Sequence, residues 1–240
     1  IMLVLDGPVG ESLQSIIDKW SKKLNINLLK NKKKGLALCL RDGLNHIHYE
    51  YVIRCDSDDT SYFNRFKTHI SVLKNRNVSI TSSSIQEKWN NDKSFIRKVP
   101  KGYISKYNLS TFFRSPINHN CCAFKKEDIL NSGSYKLGRM EDFRLWLNCL
   151  KNNYSIFNTD DILLDADCLD LGKRRCGLDY FIAEFKVFFI NFNRIPPLGF
   201  LFSLLALLVK LPFRIKFFNY DHYLRSFIMT KIFRKNINTI

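Results

Sequence analysis

The chain has 240 residues, of which 45% are hydrophobic and 25% are charged, and its formal net charge is +16. The first two values are those of a globular protein and exclude a disordered chain. The basic excess suits partners that carry phosphate, such as nucleic acid, a nucleotide-sugar or an anionic membrane surface. Seven cysteines without C-x-x-C spacing argue against a disulfide framework or a zinc site and favour a reducing cytosol. No secretory signal is evident, because the opening apolar run ends at Asp6.

The first 85 residues alternate between strand and helix patterns. Short apolar runs predict strands at 2–5, 26–29, 51–55 and 78–85. Apolar residues at spacings of three and four predict helices at 11–24, 35–47 and 63–73. This alternation favours βαβ units, and we therefore expect an α/β fold with a mostly parallel sheet flanked by helices.

The remainder of the chain is less regular. Residues 86–115 are polar and irregular, and the patterns after them predict short strands at 121–125, 156–157 and 162–164 and helices at 126–130 and 141–150. An aromatic helical pattern follows at 178–192, and an apolar run of twelve residues at 198–209. That run is too short to span a bilayer, which needs about 20 residues. From residue 173 onward, 12 Lys and Arg face 3 Asp and Glu. An interfacial helix fits best, with a core or dimer helix as the alternative.

Three acids, Asp56, Asp58 and Asp59, directly follow the predicted strand at 51–55. Ligands of open α/β sheets bind at the carboxyl ends of the strands. Clustered carboxylates attract a hard divalent cation, and Mg²⁺ and Mn²⁺ prefer oxygen ligands. The alternative interpretation is a solvated turn, because Asp and Ser are common turn residues.

Five motifs stand in one order along the chain. They are LVLDG at 3–7, GLA at 35–37, RCDSDD at 54–59 with RF at 65–66, INH at 117–119 and EDFRLW at 141–146. This order resembles the family 2 glycosyltransferases of the GT-A fold, especially bacterial enzymes that build surface polysaccharides. The resemblance extends over residues 1–165.

The resemblance implies a division into three parts. Residues 1–85 would form the nucleotide-sugar-binding half, residues 86–170 the acceptor-binding half of the same GT-A domain, and residues 171–240 a helical, membrane-associating extension. The family usually has one more strand, which would precede Ile1. Without it, backbone groups of the sheet would be left unpaired, and the activity of this chain would depend on how the donor pocket tolerates the loss.

The resemblance also assigns the donor side of the site. Asp58 would contact the metal, Mn²⁺ or Mg²⁺, together with Asp56, which would also face the ribose or the sugar. Asp59 would serve as a turn or capping residue. Asp6 would contact the nucleotide base or ribose, with an ordinary Asp-Gly turn as the alternative. Arg41 replaces the family's usual Asn and would either contact a phosphate or face solvent.

On the acceptor side, Asp142 corresponds to the family's general base, with Glu141 as an orienting neighbour or alternate base. The alternative is that both acids favour the first helical turn through the helix dipole. His119 would have either a substrate contact or a structural hydrogen bond.

These assignments imply a metal-dependent and inverting hexosyltransferase. It would use a nucleoside-diphosphate-sugar donor and a glycan or lipid-linked acceptor, at the cytoplasmic face of an anionic cell membrane. Two alternatives remain open: a nucleotidyltransferase, and an inactive remnant that binds a membrane or a partner. Nucleic acid is not expected as a partner, because no recognised nucleic-acid-binding motif accompanies the charge.

Overall fold

The computed structural model describes residues 1–89, 94–105, 115–169, 177–190 and 234–236, together with single positions between 201 and 211. The strands are β1 (Met2–Asp6), β2 (Asn27–Asn31), β3 (Tyr51–Ile53), β4 (Thr60–Ser61), β5 (Ile80–Lys88), β6 (Ser94–Arg97), β7 (Gly102–Tyr103), β8 (Cys122–Lys125), β9 (Ile156–Asp167) and β10 (Arg234–Asn236). The helices are α1 (Glu11–Ser21), α2 (Leu36–Asn45), α3 (Arg65–Asn75), α4 (Lys126–Asn131), α5 (Glu141–Lys151) and α6 (Leu178–Ile190), and a 3₁₀ turn covers His119–Cys121.

The chain begins with a β1–α1–β2 unit whose two strands pair in parallel, as the alternation of patterns predicts. Helix α2 then crosses β1. Gly43 allows the close approach of helix and strand, because a Cβ atom at that position would lie only 2.8 Å from Val4 Cγ2. This packing places the beginning of α2 beside the end of β1.

The larger sheet has the strand order β10-β6-β5-β8-β3, and β9 pairs with β5, β4 and β7. Among the described strand pairs, only β1–β2 and β5–β9 are parallel. The expected α/β fold with a sheet flanked by helices is confirmed, but the expectation that the sheet is mostly parallel is wrong for the described residues. For β5 and β6 the physical reason is that residues 89–93 alone join the two strands, and so short a connection permits only an antiparallel return.

Two further expectations need correction. The predicted strands at 156–157 and 162–164 are parts of one long strand, β9, because Thr159, Asp160 and Asp161 continue its extended backbone despite their polarity. The polar region 86–115 is also more regular than expected, since it contains the end of β5 and the strands β6 and β7. The apolar run at 198–209 lies largely outside the described residues.

The main core lies between the larger sheet and helices α4 and α5. Trp146, Leu145 and Cys149 of α5 pack there with Phe124 of β8 and Ile156 of β9, all nearly inaccessible to solvent. A smaller core joins α5 to α6 through Phe143 and Val187, and it includes Leu207. Helix α5, which begins with Glu141 and Asp142, thus lies between the larger sheet and α6.

Strands β1 and β3 lie at sheet edges in the described part of the chain. Within the described residues, β1 pairs only with β2, and β3 pairs only with β8.

Within the same residues, no helix combines the length and the apolar character needed to cross a membrane. The six described cysteines are free thiols.

Candidate active site

The acidic loop follows β3 and ends at β4. One carboxylate oxygen from each of Asp56, Asp58 and Asp59 lies within 4.8 Å of the others. Three acids that converge in this way repel one another unless a cation is present. The structure therefore brings together the three acids that the sequence singled out.

Asp56 is paired with a cation of the protein. Its Oδ1 lies 2.5 Å from Nη2 of Arg54, whose side chain is only 7% exposed. Arg54 is the residue immediately after β3, so the end of the strand fixes its backbone at the start of the acidic loop. One oxygen of Asp56 is held by Arg54, and the second remains for another partner.

Arg65, the first residue of α3, stabilises the acidic loop through hydrogen bonds. Its guanidinium is fully buried and donates hydrogen bonds to the carbonyl oxygens of Arg54 and Asn120 and to Ser61 Oγ. Arg54 stands at the start of the acidic loop, Ser61 lies in β4 just after it, and Asn120 lies in the 3₁₀ turn. Arg65 therefore sets the conformation of the loop rather than contacting a ligand.

Both carboxylate oxygens of Asp59 accept hydrogen bonds from other residues. Its Oδ2 accepts a hydrogen bond from Asn120 Nδ2 at 2.7 Å, and its Oδ1 accepts one from the backbone amide of Asp167 at 3.1 Å. Burial raises the pKa of this carboxyl, and the two hydrogen bonds oppose the rise. These contacts favour the structural role that the sequence suggested for Asp59.

Asp58 differs from its two neighbours. It is exposed, and no hydrogen bond or ion pair from another described residue is directed to its carboxylate. Both of its oxygens, together with the second oxygen of Asp56, are therefore open to a ligand. A hard divalent cation fits such a donor set, because it is built of carboxylate oxygens with room for substrate oxygens and water.

Asp6 stands at the end of β1, close to the start of α2. Its carboxylate accepts hydrogen bonds from the backbone amides of Lys34 and Gly35 at 2.7–3.1 Å. These bonds lower the pKa of Asp6. The side chain is exposed, so a structural role at the helix start and a nucleotide contact are compatible.

Arg41 lies on α2, in a separate charged group. Its Nε is 3.8 Å from Asp42 Oδ1, and the other oxygen of Asp42 is 2.5 Å from Lys34 Nζ. The Arg41 side chain is 45% exposed. The described contacts of Arg41 join it to the Asp6 and Lys34 region and not to the acidic loop.

The second half of the site is built on α5. Glu141 and Asp142 form its first turn, and Met140, which precedes them, has the left-handed φ of 60°. A non-glycine residue in that conformation is unusual and marks a backbone fixed by its surroundings. Met140 packs in the small core with Phe143, which holds this sharp helix start in place.

His119 faces Asp142. Its Nδ1 lies 4.0 Å from Asp142 Oδ2, and its Nε2 lies 3.0 Å from the hydroxyl of Tyr135. Burial, together with the nearby Arg54 guanidinium, holds the pKa of His119 well below its ordinary value. The imidazole is therefore neutral at pH 7. Since Tyr135 can donate to Nε2, the arrangement favours a proton on Nδ1, directed toward Asp142.

Asn118, which precedes His119 in the INH motif, is a structural residue. Its side-chain amide donates to the carbonyl oxygens of Ser83 and Arg97, and its backbone amide donates to Ser82 Oγ. The 3₁₀ turn is thereby attached to β5 and β6. This attachment fixes the backbone beside His119, whose ring lies near the start of α5.

Several residues around the site were not singled out from the sequence for these roles. They are Arg54, Arg65, Asn120 and Tyr135. Arg54 and Arg65 lie within the quoted motifs, but only the fold shows that both guanidinium groups are buried. Apolar spacing gave no signal for Arg65, because the buried residues of α3 are Arg65, His69 and Leu73, and two of these three are polar. No signal in the sequence pairs Tyr135 with His119.

The chain is similar to known glycosyltransferases. The family model described as "Glycosyl transferase family 2" matches residues 1–133. The chain is 39% identical over 193 residues to the UDP-Gal:alpha-D-GlcNAc-diphosphoundecaprenol beta-1,3-galactosyltransferase of Escherichia coli, and the match covers 78% of the chain and 69% of that relative.

Two solved structures show the fold. The S. aureus protein TarS in complex with UDP-GlcNAc gives a TM-score of 0.58 at 16% identity, covering 78% of this chain and 56% of that one. The mannosyltransferase PcManGT from Pyrobaculum calidifontis, in complex with GDP-Man and Mn²⁺, gives a TM-score of 0.56 at 14% identity, covering 94% of this chain and 69% of that one. The chain thus spans little more than half of the TarS structure.

These likenesses confirm the GT-A fold, and the family match together with the E. coli relative settles the membership. The chain belongs to glycosyltransferase family 2.

Proposed function

We propose that the chain transfers a sugar from a UDP-sugar to a hydroxyl group of a lipid-linked glycan, with inversion, during the synthesis of a bacterial surface polysaccharide. The observation that carries this proposal is the open carboxylate of Asp58 in a cluster of three acids. The second acid that the reaction needs would be Asp142, whose Oδ2 lies 4.0 Å from Nδ1 of His119. UDP-galactose is the first donor to test and a GlcNAc-diphosphate lipid the first acceptor, because the E. coli relative is described as using them.

The acidic loop would hold the donor's diphosphate through a divalent cation. Asp58 and the second oxygen of Asp56 would be its ligands, because the described contacts leave these oxygens open. Mn²⁺ fits their oxygen chemistry and is present in the complex of the Pyrobaculum calidifontis mannosyltransferase, and Mg²⁺ fits it equally. When bound, such an ion supplies positive charge to the leaving diphosphate. Arg54 and Arg65 would keep the loop in shape, and Asp6 and Arg41 would lie on the nucleotide side.

Asp142 would act as the general base. Its carboxylate accepts the proton of the acceptor hydroxyl, whose oxygen forms a bond to the anomeric carbon while the bond from that carbon to the diphosphate oxygen breaks. UDP leaves with the bonding electron pair, and a single displacement inverts the configuration. His119, whose Nδ1 lies 4.0 Å from Asp142 Oδ2, would orient this carboxylate, and Glu141 stands beside Asp142 in the same helical turn.

The protein would work at the inner face of the cell membrane, where a lipid-linked acceptor is located. The excess of basic residues after residue 173 supports attraction to an anionic surface. Family membership disfavours the nucleotidyltransferase alternative. The inactive-remnant alternative predicts no affinity for UDP.

A transfer assay tests the proposal. Purified protein, UDP-galactose with a radioactive sugar, Mn²⁺ and a short-chain GlcNAc-diphosphate lipid should give a labelled β-linked product, identified by NMR of the anomeric proton. The Asp142→Asn protein should bind UDP but form no product. Lack of transfer by wild-type protein that binds UDP would contradict the donor and acceptor assignment, and lack of affinity for UDP and GDP would contradict the transferase proposal itself.

A further inference from the structure

Residues 132–140, which join α4 to α5, have an unusual backbone. Four of them have φ in the left-handed region: Gly133 at 92°, Ser134 at 52°, Gly138 at 125° and Met140 at 60°. Glycine adopts this region freely, whereas Ser134 and Met140 carry side chains and adopt it only at a cost in free energy. Such a conformation persists where surrounding contacts hold it. We call residues 132–140 the α5 loop.

The first half of the α5 loop is held by α4 and by His119. The backbone amides of Gly133 and Ser134 donate hydrogen bonds to carbonyl oxygens of α4 at 2.9 and 3.0 Å. Tyr135 follows, and its buried side chain places the hydroxyl 3.0 Å from Nε2 of His119. The α5 loop is therefore fixed to the main core as far as Tyr135.

Arg144 of α5 holds the second half of the loop. Its Nη2 donates hydrogen bonds to the carbonyl oxygens of Lys136 and Leu137 at 2.9 and 3.0 Å. Among the described residues, no backbone amide donates to either of these two oxygens. Gly138 comes next, and a Cβ atom added there would lie 3.9 Å from the same Nη2. The loop thus bends closely around the guanidinium and folds back on the helix that follows it.

The α5 loop also connects the two groups that flank the ring of His119. The hydroxyl of Tyr135 lies 3.0 Å from Nε2, and Oδ2 of Asp142 lies 4.0 Å from Nδ1. Only the residues 136–141 join Tyr135 to Asp142 along the chain. The approach of Asp142 to His119 therefore depends on the path of this short segment, and Arg144 fixes that path from the fourth position of α5.

From these contacts we infer that Arg144 is a positioning residue for Asp142. Its guanidinium holds two consecutive carbonyl oxygens of the α5 loop, the loop reaches α5 with Met140 in its left-handed conformation, and the carboxylate of Asp142 is thereby directed toward His119. Arginine suits this role because its guanidinium stays charged and offers several donors in a fixed plane. This inference rests on the proposed function, since it takes Asp142 as the general base.

Steady-state transfer of galactose by the full chain tests the inference. Arg144→Met keeps an unbranched side chain but removes the donors, and we expect kcat to fall about tenfold because the base is misplaced. The KM for UDP-galactose should change less than about twofold, since the acidic loop is not altered. Arg144→Lys keeps a charged donor and should recover part of the loss. The matched control is Lys151→Met, at the exposed far end of α5, which should keep the wild-type kcat.

A double variant separates positioning of the base from a general loss of stability. If Arg144 acts through the approach of Asp142 to His119, adding Arg144→Met to His119→Gln should lower kcat by less than about a further twofold, because that approach is already lost. Independent roles would instead multiply, to a loss of about a hundredfold if each substitution alone costs about tenfold. A multiplicative loss would overturn the inference.

Trypsin reports on the α5 loop without any need for catalysis. It cleaves after Lys136, which is exposed, and the carbonyl group of that bond is the one that Arg144 holds. Because cleavage requires local opening of the chain, we expect this bond to be cut faster in Arg144→Met than in the wild type or in Lys151→Met. Mass spectrometry of the fragments measures the rate. Equal rates in Arg144→Met and Lys151→Met would overturn the inference.

The two measurements also separate this inference from the proposed function. A wild-type protein that transfers no sugar would contradict the function, and the cleavage rate at Lys136 would then decide whether Arg144 holds the loop. A wild-type protein that transfers galactose, with equal kcat in Arg144→Met and Lys151→Met, would support the function and overturn the inference.

Discussion

The guanidinium of Arg54 lies 2.5 Å from the carboxylate of Asp56, and the arginine is buried whereas the aspartate is 31% exposed. The two residues are separated only by Cys55, at the point where β3 gives way to the acidic loop. A buried guanidinium needs an anionic partner. The first acid of the loop is therefore directed by the protein, while Asp58 remains open.

Removal of Arg54 should affect both the fold and the donor site. In Arg54→Ala, Asp56 loses the ion pair and the core loses a large side chain, and we expect the free energy of unfolding to fall by about 2 kcal/mol, less than for a fully buried pair because Asp56 is partly solvated. Arg54→Lys should recover part of this loss. Urea denaturation measures the first effect, and calorimetry with UDP and Mn²⁺ measures the second. Unchanged stability and unchanged UDP affinity in Arg54→Ala would contradict the role.

Arg65 should act on the acidic loop without touching the donor. Arg65→Met keeps much of the side-chain volume but leaves the carbonyl oxygens of Arg54 and Asn120 without their donor, a loss of about 2–4 kcal/mol for buried acceptors of charged hydrogen bonds. We also expect weaker metal-dependent binding of UDP. The exposed Lys67→Met substitution, on the same helix, is the matched control. Equal stability of the two variants would contradict this account of Arg65.

His119 should influence catalysis through Asp142. We expect His119→Gln to lower kcat about tenfold or more with little change in the KM of the donor, because only the orientation of the base is lost. Tyr135→Phe should have a smaller effect in the same direction, since it removes the partner of Nε2. Steady-state kinetics with a saturating acceptor measures the division between kcat and KM. A change confined to the donor KM would instead place His119 in the donor site.

The buried His69 should make the fold sensitive to acid. Burial, with a smaller effect from Arg65, lowers the pKa of His69 to about 3. Between that value and the ordinary pKa near 6.5, the unfolded chain binds a proton that the folded protein does not. The stability contributed by neutral His69 is thus complete above about pH 6.5 and is lost as the pH falls, by up to about 1.4 kcal/mol per pH unit.

The variant His69→Gln isolates this effect. Urea unfolding measured from pH 7 to pH 4 should show a shallower loss of stability in His69→Gln than in the wild type, even though the substitution itself destabilises the core. His48→Gln, at an exposed position, should keep the wild-type slope. Identical slopes for the His69→Gln and wild-type proteins would show that His69 is already protonated in the folded state or does not titrate in this range.

The sequence predicted much of the fold because local patterns govern its first half. The β1–α1–β2 unit and the helices α2, α3 and α5 follow from apolar spacing, with ends within a few residues of those observed. The sheet directions did not follow, because pairing such as that of β3 with β8 joins residues some 70 positions apart and depends on the whole topology. The polar sequence of β9 at 159–161 likewise concealed a continuous strand.

The sequence predicted those residues of the candidate site that lie together within one motif. The acids of RCDSDD and EDFRLW could be recognised from the sequence alone. Their environment could not, because it depends on contacts between distant segments, such as Asn120 with Asp59 and Tyr135 with His119. The resemblance assigned different roles to Asp56, Asp58 and Asp59, but the contacts that distinguish them, Arg54 with Asp56 and Asn120 with Asp59, depend on the fold.

The proposed roles of the two acids are separable, because Asp58 would serve donor binding through a metal and Asp142 the chemical step. Calorimetric titration with UDP, with and without Mn²⁺, separates them on three proteins: wild type, Asp58→Ala and Asp142→Asn. We expect metal-dependent binding by the wild type and by Asp142→Asn, and its loss in Asp58→Ala. Metal-dependent binding that persists in Asp58→Ala, or binding by the wild type that is indifferent to Mn²⁺, would contradict these roles.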